Sequence, residues 1–158
     1  MAKKLINILN QEMPLYKELL SLLQEEKRLL STRTRDELYQ LSARIEALVF
    51  KVKGMERARE AAVTELALSL GLEETEARRV NLTKLLNSLK EPYRGELQRL
   101  QSLFLALVGS IEELNRENSV IIGRSIDNIK STFDFIRELS SLQLYKPNGI
   151  VDNPPINR

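Results

Sequence analysis

The sequence predicts an all-α fold: a long antiparallel helical hairpin joined by a long third helix, in a coiled-coil-like bundle with a flexible C-terminal tail. Three observations predict it. Leu38, Leu41, Ile45, Leu48, Val52 and Met55 keep heptad spacing, and Ala62 and Leu66 resume it after Arg59. Residues 3–30 carry a broad apolar face, from Leu5, Ile8 and Leu9 to Leu29 and Leu30. From Pro92 the chain runs to Leu144 without another proline, and Leu97, Leu100, Phe104, Leu107, Ile111 and Leu114 mark one helical face within that run. Recurrence at three and four residues is the period of an amphipathic helix.

The first helix contains Pro14, which removes a backbone donor and predicts a kink or a fresh start there. Glu12 and Glu26 fall on its apolar face, fourteen residues apart. That separation is about 21 Å along a helix, too far for paired acids, so a solvated bundle-edge position is expected for both. Thr34-Arg-Asp-Glu37 matches a capping box and starts the second helix. Gly54 lies inside that helix, where close packing would account for it, and Gly71 is placed to cap its end. Residues 73–90 are less regular and read as a connector with one or two short helices, for which Asn81 or Thr83 can serve as a cap.

Pro92 suits the first turn of the third helix, where its missing N–H costs nothing. After Leu114 the apolar register changes. Strict continuation would meet Asn118, Ser125, Asn128 and Thr132, whereas the apolar residues stand at Ile122, Ile126, Ile129, Phe133 and Ile136. Such a stutter rotates the apolar face around the helix. Length sharpens the point. The first two helices would span roughly 42 and 54 Å, and an unbroken third helix roughly 80 Å, leaving about 25 Å without a partner in the chain. The stripe Ile122, Ile126, Ile129, Phe133 and Ile136 is then an exposed protein-binding surface. A break at Gly123 gives the other reading, a fourth bundle helix. Asn118 also has two readings, a register-setting polar group within the bundle or a hydrogen-bonding contact to a partner backbone. Three prolines follow Leu144, so residues 1–144 are expected to form the helical domain and residues 145–158 a flexible Pro-rich tail.

Composition excludes much chemistry. The chain has 158 residues, no Cys, His or Trp, and a formal charge of +2 from 24 basic and 22 acidic residues. Thiol chemistry, disulfides, most zinc ligand sets and the commonest general base are absent. No catalytic constellation, phosphate loop, cofactor site or metal-spaced carboxylate cluster is found, so an enzyme is not expected. The arginine pairs at 33 and 35, 57 and 59, and 78 and 79 are interleaved with acids, so no nucleic-acid surface is expected either. No apolar run approaches a membrane span, and no signal peptide is apparent.

Tyr16-Lys-Glu-Leu-Leu20, Glu25-Glu-Lys27, the Leu38 to Met55 heptads, the segment Leu114-Asn-Arg-Glu-Asn118-Ser-Val-Ile-Ile122-Gly-Arg-Ser-Ile126 and the end piece Leu144-Tyr145-Lys-Pro-Asn-Gly149 together resemble the flagellar export chaperones of the FlgN type. The resemblance implies a cytoplasmic, non-enzymatic chaperone without cofactors. Its partners would be the hook-filament junction (hook-associated) proteins, whose terminal helical segments it holds before secretion, and the membrane protein of the export gate. Contact with the membrane would come only through that gate. Carried over to this chain, Asn118, Ile122, Ile126, Ile129, Phe133 and Ile136 are the substrate surface and Tyr145 the gate contact. Monomer and homodimer are both compatible with the pattern. A structural coiled coil that self-associates through the third helix is the alternative function.

Overall fold

The computed structural model describes residues 1–123 and 126–137. Over that range the chain forms α1 (Ala2–Thr32), α2 (Arg35–Ser69), α3 (Glu74–Ala77), α4 (Leu82–Ser88), α5 (Tyr93–Ile122) and α6 (Asp127–Ile136), with no strand among the described residues. The fold is all-α, as the periodicity predicts.

Helix α1 is the strut that the other long helices share. Leu5, Leu9, Glu12, Tyr16, Leu19, Leu23 and Glu26 form a buried heptad row along it. Helix α2 lies antiparallel to α1, as the pairs Lys4–Glu65 (2.7 Å) and Glu12–Arg59 (3.3 Å) record. It contributes Leu41, Ile45, Leu48, Val52, Arg59, Ala62 and Leu66 from its heptad row. Helix α5 runs parallel to α1, with Tyr16 edge-on to Phe104 (ring centroids 5.7 Å apart) and Lys27 bound to Glu117 at 2.9 Å. Leu97, Leu100, Phe104, Val108 and Ile111 form its buried row.

The helix ends follow local chemistry. Pro14 lies inside α1 without dividing it. Thr34 precedes α2, but its side chain caps nothing; Thr34 Oγ1 lies 2.9 Å from Thr32 Oγ1 instead. The expected capping box is therefore not formed. After α2, Leu72 N donates to Ala67 O and Gly71 N to Leu68 O, with Gly71 at φ 89°. This pair of bonds and the left-handed glycine are a Schellman cap. Asn81 Oδ1 accepts from Lys84 N at 2.9 Å and starts α4, so the connector carries the short helices expected of it. Glu91 Oε2 accepts from Gly95 N at 3.0 Å at the start of α5. Gly54 is exposed with nothing within 4 Å of where a Cβ would stand, so the idea of close packing within the monomer does not hold.

The largest departure concerns the third helix. It does not run from Glu91 to Leu144 as one rod. Helix α5 ends at Ile122, Gly123 takes a left-handed φ of 74°, and α6 begins at Asp127. Gly123 N closes the last turn on Ser119 O at 2.7 Å. Glycine alone adopts such a φ without steric penalty, so the break falls where the backbone permits it. Helix α6 then folds back along α5.

Candidate partner-binding site

The apolar stripe predicted as a docking surface is the face by which α6 is attached to the bundle. Ile126 is 5% exposed, Ile129 1% and Ile136 0%, while Phe133 and Ile122 are half-buried. An exposed strip is thus a corrected expectation, and its cause is the turn at Gly123, which supplies the missing intramolecular cover. The Phe133 ring lies over Gly109, where an added Cβ would come 3.8 Å from Cε2. At the far end of α6 the Ile136 carbonyl accepts from Gln101 Nε2 at 2.9 Å, and the same amide meets Thr83 Oγ1 at 2.9 Å. One glutamine thereby ties α6, α5 and α4 together.

A buried polar layer lies under the middle of α6. Thr132 is fully buried, and its Oγ1 lies 2.9 Å from Tyr16 Oη. Arg59 donates from Nη1 to both Glu12 carboxylate oxygens at 3.3 Å and approaches Thr132 Oγ1 at 3.4–3.5 Å. Glu56 stands 4.0 Å from the same guanidinium, and the Phe135 ring centroid is 5.0 Å from its Cζ. Arg59 is 2% exposed and Glu12 0%. Unpaired, either charge would be very costly at that depth; paired and hydrogen-bonded, they are tolerated and fix the alignment of the helices.

The electrostatics follow from burial. Desolvation raises the Glu12 carboxyl above its usual range despite the attraction of Arg59. Burial and the neighbouring Glu12 push the Tyr16 phenol up to about 12, so it stays protonated and able to donate to Thr132. Burial works against the Arg59 cation, but Glu12, Tyr16 and Glu56 together raise its pKa further, and it remains charged.

A second polar layer lies near the top of α5. Asn118 is 1% exposed, and its Nδ2 donates to Leu23 O at 3.0 Å and to Glu26 Oε1 at 2.9 Å. Of the two readings of Asn118, the register-setting one describes these contacts. Glu12 and Glu26, expected at the bundle edge, are both fully buried. They stand two heptads apart on α1, and each meets a hydrogen-bond donor from a different helix. Arg59, Thr132 and Tyr16 were not among the predicted site residues. Their signal was available in part: Glu12 and Arg59 occupy heptad positions at matching depth on antiparallel neighbours. Tyr145 lies outside the described residues.

The site offers shape and apolar area, with a few fixed polar groups. Beside α6 runs an open groove of about 710 Å³, bordered by Arg57, Val63, Ala77, Val80, Ser131 and Phe135. Among the described residues no cluster of His, Cys, Asp and Glu could hold a metal ion. No described helix is long and apolar enough to cross a membrane.

A family model described as FlgN protein matches residues 1–152. No match was found among curated proteins or among solved structures. The match extends over the hairpin, the connector, α5 and α6 alike, so the whole bundle is the family's unit. This chain belongs to the FlgN family, the flagellar export chaperones.

Proposed function

We propose that α6 is a reversible cover and that the chaperone captures its client when α6 swings off the bundle about Gly123. The client is a terminal helical segment of a hook-filament junction (hook-associated) protein. It docks on the apolar row of α6, Ile126, Ile129, Phe133 and Ile136, and on the trough of α1 and α5 that α6 leaves, where Tyr16, Phe104 and Val108 lie. Ile122 and Asn118 stand at the hinge end, with Asn118 holding α5 to α1 while α6 moves. The single observation that carries this reading is the way the row is held: a ten-residue helix following a left-handed glycine packs the expected docking row against the bundle. Junction proteins before assembly expose amphipathic helices, and such a helix can replace a short one in a groove already shaped for it. Holding that segment keeps it from assembling early.

The remaining roles rest on the family resemblance. Tyr145, in the expected tail of residues 145–158, contacts the membrane protein of the export gate, and the chaperone works in the cytoplasm. An amphipathic tyrosine on a tail is a suitable anchor for a second partner. The alternative of a scaffold that self-associates through the third helix is less favoured, because the strip it would use is largely packed against the bundle.

Calorimetric titration with the isolated terminal helical segment of a junction protein tests capture. Ile129→Asp with Phe133→Asp should abolish binding while the melt of the remaining bundle stays cooperative. Tyr16→Phe, which removes only a hydrogen bond to the cover, should bind more tightly than wild type. Unchanged or weaker binding by Tyr16→Phe would contradict the cover model. Tyr145→Ala should retain capture and lose gate binding.

A further inference from the structure

The outer face of α2 carries the most exposed aromatic residues among the described residues, and its second half, at Arg57, Ala61 and Thr64, borders the groove beside α6. Tyr39 is 79% exposed, Phe50 80% and Leu68 45%. On a helix advancing about 100° per residue these three fall within roughly 20° of one line. That line is opposite the Leu41–Ile45–Leu48–Val52 row that meets α1. Arg57 and the small exposed residues Ala43 and Ala61 lie near the same line, and Gly54, with nothing within 4 Å, lies beside it.

The positions of these residues, though not their identities, are spaced symmetrically about a point between Lys53 and Gly54. Turned end for end about that point, Tyr39 meets Leu68 of a second copy, Phe50 meets Arg57, and Ala43 meets Thr64. Each contact then occurs twice, as an isologous interface requires. The central pairs place a guanidinium on an aromatic face, and Glu46 is one turn from the copy's Arg57, within reach of a charge pair. Gly54 beside the axis allows the two backbones to approach closely. A near-neutral chain with a formal charge of +2 also offers little general repulsion to a second copy.

We propose that the outer face of α2 pairs antiparallel with the same face of a second copy, forming a twofold dimer centred between Lys53 and Gly54. The row from Tyr39 to Leu68 is roughly 43 Å long on a helix about 10 Å wide. Its footprint is on the order of 400 Å² per copy, well under the roughly 800 Å² of a standard stable interface. The dimer is therefore reversible and concentration-dependent. It uses no residue of α5 or α6, although Arg57, Ala61 and Thr64 also border the groove beside α6.

Sedimentation equilibrium on the full chain, from low micromolar to near-millimolar concentration, should give a single monomer–dimer equilibrium. Phe50→Glu should weaken it at least tenfold, and circular dichroism should show the helix content kept, because the side chain is exposed. Ile121→Glu, at the exposed end of α5, should leave it unchanged. The chain has no cysteine, so Lys53→Cys, beside the axis, should form a disulfide-linked dimer under mild oxidation. Arg44→Cys, exposed but off the row, should not. Monomer at every concentration, a dimer insensitive to Phe50→Glu, a dimer lost in Ile121→Glu, or equal cross-linking at both cysteine positions would each overturn the proposal.

Discussion

The α1–α2 hairpin and the α5–α6 corner bury apolar rows of similar spacing, yet they are held in very different ways. The hairpin joins helices of 31 and 35 residues and locks them with the Glu12–Arg59 pair. Helix α6 has ten residues, and its polar ties among the described contacts are to Tyr16, Arg59 and Gln101. Long elements with interior charge pairs open only with the whole fold, whereas a short element on a glycine turn can open by itself. In this molecule the difference separates the frame from the cover, and each prediction below bears on one side of it.

The largest effect is expected at the frame. Arg59→Met strands a buried carboxylate and should cost about 3–5 kcal/mol in urea unfolding. Adding Glu12→Leu should recover most of that loss, since an apolar pair can replace a buried ion pair. Asn118→Leu removes two buried hydrogen bonds to α1 and should cost about 1–3 kcal/mol, with client capture retained at temperatures where the bundle stays folded. At the cover, Tyr16→Phe loses one hydrogen bond and should cost no more than about 1 kcal/mol while strengthening capture. The smallest effect is with pH. Glu12 titrates higher in the folded chain than its ordinary 4.5, so the folded state holds the extra proton. Its contribution is fully present below 4.5 and is lost as pH rises through the raised folded value. Stability of wild type relative to Glu12→Gln should therefore increase on acidification through that window, read from denaturation midpoints.

Much of this architecture was legible in the sequence. The hairpin followed from the Leu38 to Met55 heptads, the connector helices from Asn81, and the end of α2 from Gly71. The stutter after Leu114 showed the apolar face changing register within the helix, and Gly123 was the residue named as able to break it. What periodicity could not say is whether Ile126 to Ile136 faces outward or home, because an apolar row looks the same against a partner and against its own chain. The buried acids were misplaced for a related reason. Glu12 and Glu26 were weighed singly as surface residues, whereas their burial depends on donors brought from 47 and 92 positions away. Thr34 shows a local motif that tertiary contacts override: its hydroxyl meets Thr32 and not the helix amide.

Native-state hydrogen exchange of the free protein tests the separation of frame and cover most directly. The account predicts that the α6 amides from Lys130 to Ile136 exchange through a local opening, well before those of Leu100 to Ile111 in α5. It also predicts that a bound client helix leaves α5 protection intact or increased. Exchange of α6 and α5 at one common rate, tracking global unfolding, would contradict it, because a cover that opens only with the whole bundle cannot admit a client.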